Sequence, residues 1–198
     1  MIRLYENFNQ ARARVEPVYA DGAVNMAFCQ YRRSSEDAFF MPHAALTYVR
    51  EGRKMVFLNG ERYDMKAGDA LFVPKNSILY SEIIVKREPF VSLNLLLGDA
   101  DTLLSSMACH IADRMQLQYY ASNYNMSLST FKRWFKRNVG CSPGQWMIEK
   151  RLQQAQYLLQ HKRLSVKEAC YRSGFEDVSY FIRRYKQAYG RTPGQLEI

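Results

Sequence analysis

STFKRWFKRNVGCSPGQW, residues 129–146, is written a second time as SYFIRRYKQAYGRTPGQL at residues 179–196. A shift of 50 positions aligns Ser129 with Ser179, Phe131 with Phe181, Arg133 with Arg183, Lys136 with Lys186, Gly140 with Gly190, Pro143 with Pro193, Gly144 with Gly194 and Gln145 with Gln195, eight identities in 18. Self-similarity at a fixed period of this size marks a duplicated supersecondary unit. The unit is a short basic helix, a glycine stop, and a Ser-Pro or Thr-Pro that opens the next helix. Two copies of one basic helix suit a partner that is itself periodic, and duplex DNA is the leading one.

Around both copies the apolar residues keep helical spacing. Leu103, Leu104, Met107, Ala108 and Ile111 share one face of a helix expected to end near Asp113. A second short helix is expected over 117–124, followed by a sharp turn at Asn125, a residue type that tolerates a left-handed backbone. The first basic helix is then expected over 128–138, with Ser127 as its N-cap. Pro143 opens a longer connecting helix through Leu159. Ser165 and Glu168 have the spacing of a capping box, the helix they start stops at Ser173-Gly174, and Asp177 caps the second basic helix, expected over 178–189. The helix-turn-helix motifs therefore fall at about 117–138 and 166–189.

The spacing also assigns faces. In the first basic helix Phe131 and Phe135 lie four apart and can bury together with Val139, which turns Ser129, Thr130, Lys132, Arg133, Lys136 and Arg137 outward. Small hydroxyl residues allow close approach to a major groove, and Lys and Arg reach guanine acceptors or phosphates. In the second, Phe181 and Tyr185 are expected to be buried, with Val178, Ser179, Ile182, Arg183 and Lys186 available to the partner. Val178 and Ile182 could touch thymine methyls but cannot hydrogen-bond a base edge, so the first helix is expected to discriminate sequence more strongly. A basic helix face by itself is an ordinary solvated surface. Here that bland reading must also account for the duplication, the paired turns and the charge distribution.

The first hundred residues have another texture. The segments 23–31, 45–50, 54–58, 70–74, 81–85 and 90–97 are short, rich in β-branched and aromatic residues, and bounded by turn formers. Asn59-Gly60 is a strong hairpin signal because both residues tolerate the positive φ of a type I′ turn, and 66–69 reads as a second turn. Strands at this spacing favour a small barrel or sandwich. The fold class expected is α+β in two domains, a strand domain over 1–100 and an all-α domain over 101–198, joined by no more than Gly98 to Asp101.

Of 28 Lys plus Arg and 19 Asp plus Glu, residues 1–100 hold 13 and 12, whereas 101–198 hold 15 and 7. A net charge of +8 confined to the second half is an electrostatic footprint for a polyanion, nucleic acid or an anionic membrane surface. Cys29, Cys109, Cys141 and Cys170 are widely spaced, form no CxxC pair or zinc cluster, and are read as reduced buried thiols. No apolar run approaches a membrane span and the N-terminus lacks a signal-peptide core, so a cytoplasmic location is expected, with no membrane partner. No acid/base pair or nucleophile constellation suggests an enzyme, and no cofactor is implied.

The stretch 101–196 resembles the DNA-binding domain of the AraC/XylS family of bacterial transcription regulators. SPGQWMIEKRLQQAQYLL looks like that family's connecting helix, and GFEDVSYFIRRYKQAYGRTP like its signature second half. The resemblance implies a sequence-specific regulator, an activator working with RNA polymerase, whose helices 128–138 and 178–189 enter two adjacent major grooves of double-stranded DNA. It implies base or backbone contacts from Ser129, Lys132, Arg133, Val178, Ser179, Ile182 and Arg183. Asn125 stands where the family usually has Gly, and Cys170 where it has a small Ala.

The first half resembles, less specifically, the family's cupin-like sensor domain through Gly52, Asn59-Gly60, Gly68-Asp69 and Pro74. Metal-dependent cupins present two or three histidines and a carboxylate, whereas this half has only His43, so no metal site is expected. The input at this domain, a small molecule or a protein partner, is left open, as is homodimerisation. A remote alternative is a cupin-type enzyme with a basic accessory domain. An enclosed apolar pocket would favour a small-molecule input; an interior filled by its own Phe, Tyr and Leu would favour a protein one.

Overall fold

Asn59 and Gly60, at φ 53° and 84°, close the innermost hairpin of the strand half, with both central residues in the positive-φ region of a type I′ turn. The computed structural model describes residues 2–3, 13–20, 24–97, 102–113 and 116–195. The chain divides into two compact units, Met1–Cys109 and His110–Ile198. The expected connection at Gly98 to Asp101 lies outside the described residues.

The first unit contains β1 (Ile2–Arg3), β2 (Ala13–Ala20), β3 (Val24–Tyr31), β4 (Ser35–Met41), β5 (Ala44–Glu51), β6 (Arg53–Leu58), β7 (Glu61–Lys66), β8 (Ala70–Val73), β9 (Ser77–Ile84) and β10 (Phe90–Leu97). Pairing is nested around the Asn59-Gly60 turn: β6 with β7, β5 with β8, β4 with β9, and β3 with β10, all antiparallel. This is jelly-roll topology, the architecture of cupins. It gives two five-stranded sheets, β1-β4-β9-β6-β7 and β2-β3-β10-β5-β8. Alternate residues point inward, so β5 buries Ala45, Thr47 and Val49 while β6 buries Lys54, Val56 and Leu58. Cys29, Tyr31, Met65, Val73, Leu79, Ile83 and Phe90 complete the core.

Several strands exceed the sequence expectation, for identifiable reasons. β7 turns only Met65 inward, β4 opens with Ser35, Glu36 and Asp37, and β2 carries Pro17 beside a register shift in its pairing with β3. The turn expected at 66–69 forms, with Gly68 at φ 96° and the Asp69 amide donating to the Lys66 carbonyl at 3.0 Å.

The expected domain boundary at 100/101 is corrected to 109/110. Helix α1 (Thr102–Cys109) belongs to the strand unit because it packs on β1 and β4, and it ends before Asp113, which closes a turn back to the His110 carbonyl at 3.0 Å. All four cysteines are free, but only Cys29 and Cys170 are fully buried; Cys109 and Cys141 are half-buried. No helix among the described residues is long and apolar enough to cross a membrane.

The second unit contains α2 (Leu117–Asn123), α3 (Leu128–Val139), α4 (Pro143–Gln160), α5 (Val166–Arg172), α6 (Val178–Tyr189) and a 3-10 turn at Pro193–Gln195. α4 serves both motifs. Near its start Trp146 meets Phe135 of α3 with ring centroids 6.0 Å apart. Further along, Leu152, Ala155 and Leu159 join Ala169, Cys170, Phe175, Phe181 and Tyr185 in one core. At mid-helix Arg151 donates from Nε to the Ile111 carbonyl at 2.7 Å and from its guanidinium to the Asp113 carbonyl at 3.1 Å, so backbone acceptors of 111–113 are satisfied by a side chain.

Gly174 sits where that tie passes. Its φ is 86°, and a Cβ there would lie 2.9 Å from both the Ala112 Cα and the Arg151 Nε. Gly190, at φ 73°, has open space at the same position. Gly190→Ala should therefore cost only the left-handed penalty of about 1–2 kcal/mol, and Gly174→Ala should add an overpacking cost of about 1–3 kcal/mol. Urea unfolding of the two variants side by side measures the difference.

Candidate nucleic-acid interface

Each basic helix is the second member of a helix, tight turn, helix unit. In the first, α2 ends with the chain reversing through Asn125 at φ 53°, and the Met126 amide donates to the Ala121 carbonyl at 2.9 Å. In the second, α5 ends through Gly174, and the Phe175 amide donates to the Cys170 carbonyl at 3.1 Å. Both are the six-to-one bonds of a Schellman closure, which saturate the carbonyls that a helix end leaves free. Asn125 supplies the left-handed residue that Gly174 supplies in the other copy, and Cys170 is accommodated fully buried. The second turn is one residue longer, since Asn125 and Gly174 are 49 apart while the caps Ser127 and Asp177 are 50 apart.

Caps fix where each basic helix starts. The Ser127 hydroxyl accepts from the Thr130 amide at 3.2 Å, donates to the Thr130 hydroxyl at 2.9 Å and lies 3.0 Å from the Ser129 hydroxyl. Asp177 accepts from the Tyr180 amide. The left-handed residues Gly140 and Gly190 end the two helices, their amides donating to the carbonyls of Lys136 and Lys186 at 3.0 and 2.8 Å. The connecting helix opens with a capping box between Ser142 and Gln145 that the sequence reading passed over. The one expected at Ser165 and Glu168 is present, and hydrogen bonds from the Ser165 hydroxyl and amide hold the Glu168 carboxyl below its ordinary range.

The inward faces are alike. Phe131 and Phe135 stack at 5.7 Å in α3, and Phe181 and Tyr185 at 5.7 Å in α6, all four fully buried. Burial pushes the Tyr185 hydroxyl up to about 12, so it stays neutral in the apolar wall. With these rings turned in, Ser129, Thr130, Lys132, Arg133, Lys136 and Arg137 are exposed along α3, as are Ser179, Arg183 and Lys186 along α6. Neither helix contains an Asp or Glu, and among the described residues none of these cations is held in a salt bridge. Arg183 lies over the Tyr180 ring at 5.5 Å, which stiffens its stem while leaving its donors outward.

Two expected outward residues are placed otherwise. Val178 and Ile182 are half-buried and pack against the core formed by α4, α5 and α6, because each lies three residues before Phe181 or Tyr185, beside that ring on the helix and not opposite it. Lys150 lies within α4. It is fully buried beneath Trp146, with its ammonium bonded to Glu149 at 3.1 Å and Gln153 at 3.3 Å, and burial lowers its pKa. Its i, i+3 spacing from Gln153 was the available signal.

Residues 120–197 match the family model described as "Helix-turn-helix domain". The helical half is an AraC-type helix-turn-helix domain. It is similar to the virulence regulon transcriptional activator VirF of Yersinia enterocolitica, 34% identical over 83 residues that cover 42% of this chain and 31% of that protein. It is similar also to the HTH-type transcriptional activator RhaS of Escherichia coli, 31% identical over 94 residues covering 48% of this chain and 34% of that one. The chain thus spans about a third of the length of these curated relatives. Among solved structures, the DNA-binding domain of the global transcriptional factor AdpA, in complex with a target DNA, is 29% identical with a TM-score of 0.45, covering 46% of this chain and 83% of that one.

The Ser127 cap sets the first turn of α3. Ser127→Ala should cost about 1 kcal/mol of stability and also weaken DNA binding, because Ser129 and Thr130 lose the hydroxyl that holds them. Thermal unfolding and a binding titration on the same protein measure the two effects.

Proposed function

We propose that this chain is a sequence-specific DNA-binding transcription regulator, an activator, whose helices α3 and α6 enter two adjacent major grooves of one duplex. The observation that carries the reading is the pair of capped helices, each preceded by a tight left-handed turn and each presenting unpaired basic side chains on the face opposite its buried rings. Small hydroxyls at the start of each helix permit close approach, and Arg133 and Arg183 have the reach and planar donors for guanine or phosphate. Lys132, Lys136, Arg137 and Lys186 supply neutralising contacts along the backbone. The similarity to proteins described as transcriptional activators supports activation through RNA polymerase. The strand unit receives the signal.

With Val178 and Ile182 partly withdrawn into the core, α6 offers fewer base-reading groups than α3. A single chain should accordingly bind an asymmetric site. Selection from random duplexes with the full chain yields that site, and the affinity should fall steeply with salt as several phosphates are neutralised. Arg133→Ala should cost about 1–3 kcal/mol and relax preference at one base pair under α3, whereas Lys136→Ala should weaken all sequences alike. Salt-independent binding, or a selected motif unchanged by Arg133→Ala, would remove α3 as the reader.

A further inference from the structure

Lys54 is the one cation turned into the jelly roll's interior among its described residues. It is 5% exposed and is the first inward position of β6, two residues before Val56, where the period-2 pattern otherwise places apolar residues. Its ammonium donates to the Thr47 hydroxyl at 2.6 Å. Thr47 in turn donates to the Asn94 side-chain carbonyl at 2.8 Å, and the Asn94 amide donates to the Ser92 hydroxyl at 3.1 Å. Every member of this chain is neutral apart from Lys54 itself. The Phe90 ring centroid lies 5.7 Å from the ammonium, and no carboxylate among the described residues forms a salt bridge with it.

An ammonium has three donors, and two of these are left by the Thr47 bond. A buried charge without a counter-ion is costly. Burial lowers the Lys54 pKa to about 8; in its protonated form the group places a positive potential in an apolar interior.

That potential faces an open space. A cavity of about 130 Å³ lies against Lys54, Thr47, Asn94 and Ser92, walled by rings and aliphatic chains such as Tyr31, Phe40, Leu79 and Ile83. It extends to Pro42 and His43 at the turn between β4 and β5, where the lining residues are half-exposed. The one histidine of this half thus sits at the rim and not within a cluster, and among the described residues no three His, Cys, Asp or Glu gather to hold a metal ion. A cavity of about 150 Å³ with apolar walls accepts benzene, which sets the size of an occupant. The walls offer too few polar groups for a sugar, and a second ligand charge would have no partner.

We infer that this cavity binds a small monocarboxylate with a compact apolar body, a single ring or a short branched chain, whose carboxylate is the missing counter-ion of Lys54. Thr47 holds the ammonium, Asn94 and Ser92 orient Thr47 through the hydrogen-bonded chain, and the aromatic and aliphatic wall receives the hydrocarbon. In the regulator proposed above this ligand is the input to the strand unit; the binding itself does not depend on that reading.

The test compares acids with their uncharged isosteres on the full chain. Cyclopentanecarboxylate and 3-methylbutanoate, and the corresponding carboxamides, are titrated by calorimetry into the wild-type protein and into Lys54→Met, which keeps the side-chain length without the charge. The wild type should bind at least one acid more than tenfold tighter than its amide, and Lys54→Met should erase that preference while circular dichroism and DNA binding are retained. Equal affinity for acid and amide, no binding of either acid at millimolar concentration, or a preference that survives in Lys54→Met would overturn the inference. If Lys54→Met fails to fold, the wild-type comparison of acid with amide decides alone. Absence of acid binding by the wild type, with its DNA binding intact, would remove this site and leave the regulator reading standing.

Discussion

Everything in the helical unit depends on α4 burying different stretches of itself against the two motifs. Its first turns hold Trp146 against Phe135, and its last turns place Leu152, Ala155 and Leu159 in the core with Phe181 and Tyr185. An 18-residue helix is about 27 Å long at 1.5 Å per residue, so two basic helices that would otherwise be independent are given a fixed separation by one rigid element. The cores at each end need the same two things, a ring pair on the basic helix and a tight left-handed turn before it. Both copies have them. Arg151 secures the middle by donating to the carbonyls of 111 and 113, and the room for that contact exists because residue 174 has no Cβ.

The two units handle charge in opposite ways. On α3 and α6 cations stand in solvent without acidic neighbours on their own helices, an arrangement that costs little in water and becomes favourable when phosphates approach. In the jelly roll one lysine stands inside, solvated by hydroxyl and amide groups, where an uncompensated charge is expensive and ligand specificity can follow. In the proposed reading the same kind of charge supplies general attraction in one half and selective recognition in the other. Burial makes the difference.

Much of this was legible in the sequence. The duplication located the caps, the glycine stops and the buried ring pairs, because those features depend on local spacing and backbone preference. The nested strand order was not legible, since β2, β4 and β7 carry charged or proline-containing runs and owe their strand state to pairing with distant partners. α1 was placed in the wrong unit for a related reason: its apolar face fits any apolar surface, and only tertiary contact chooses β1 and β4. The spacing of Phe181 and Tyr185 predicts Val178 and Ile182 outward, whereas the width of the buried stripe depends on what α4 and α5 present. Lys54 could have been found. In KMVFL the alternation that turns Val56 and Leu58 inward turns Lys54 inward too, and a charge at such a position signals either a buried partner or a ligand.

The central claim, that one chain holds two groove-reading helices at a fixed separation, is tested most directly by hydroxyl-radical footprinting of the full chain on its selected duplex at one chain per site. The account predicts two protected patches on the same face of the DNA, with centres about 10–10.5 base pairs apart, appearing together at a stoichiometry of one. A single protected patch, or a second patch that appears only when a second chain binds, would contradict it.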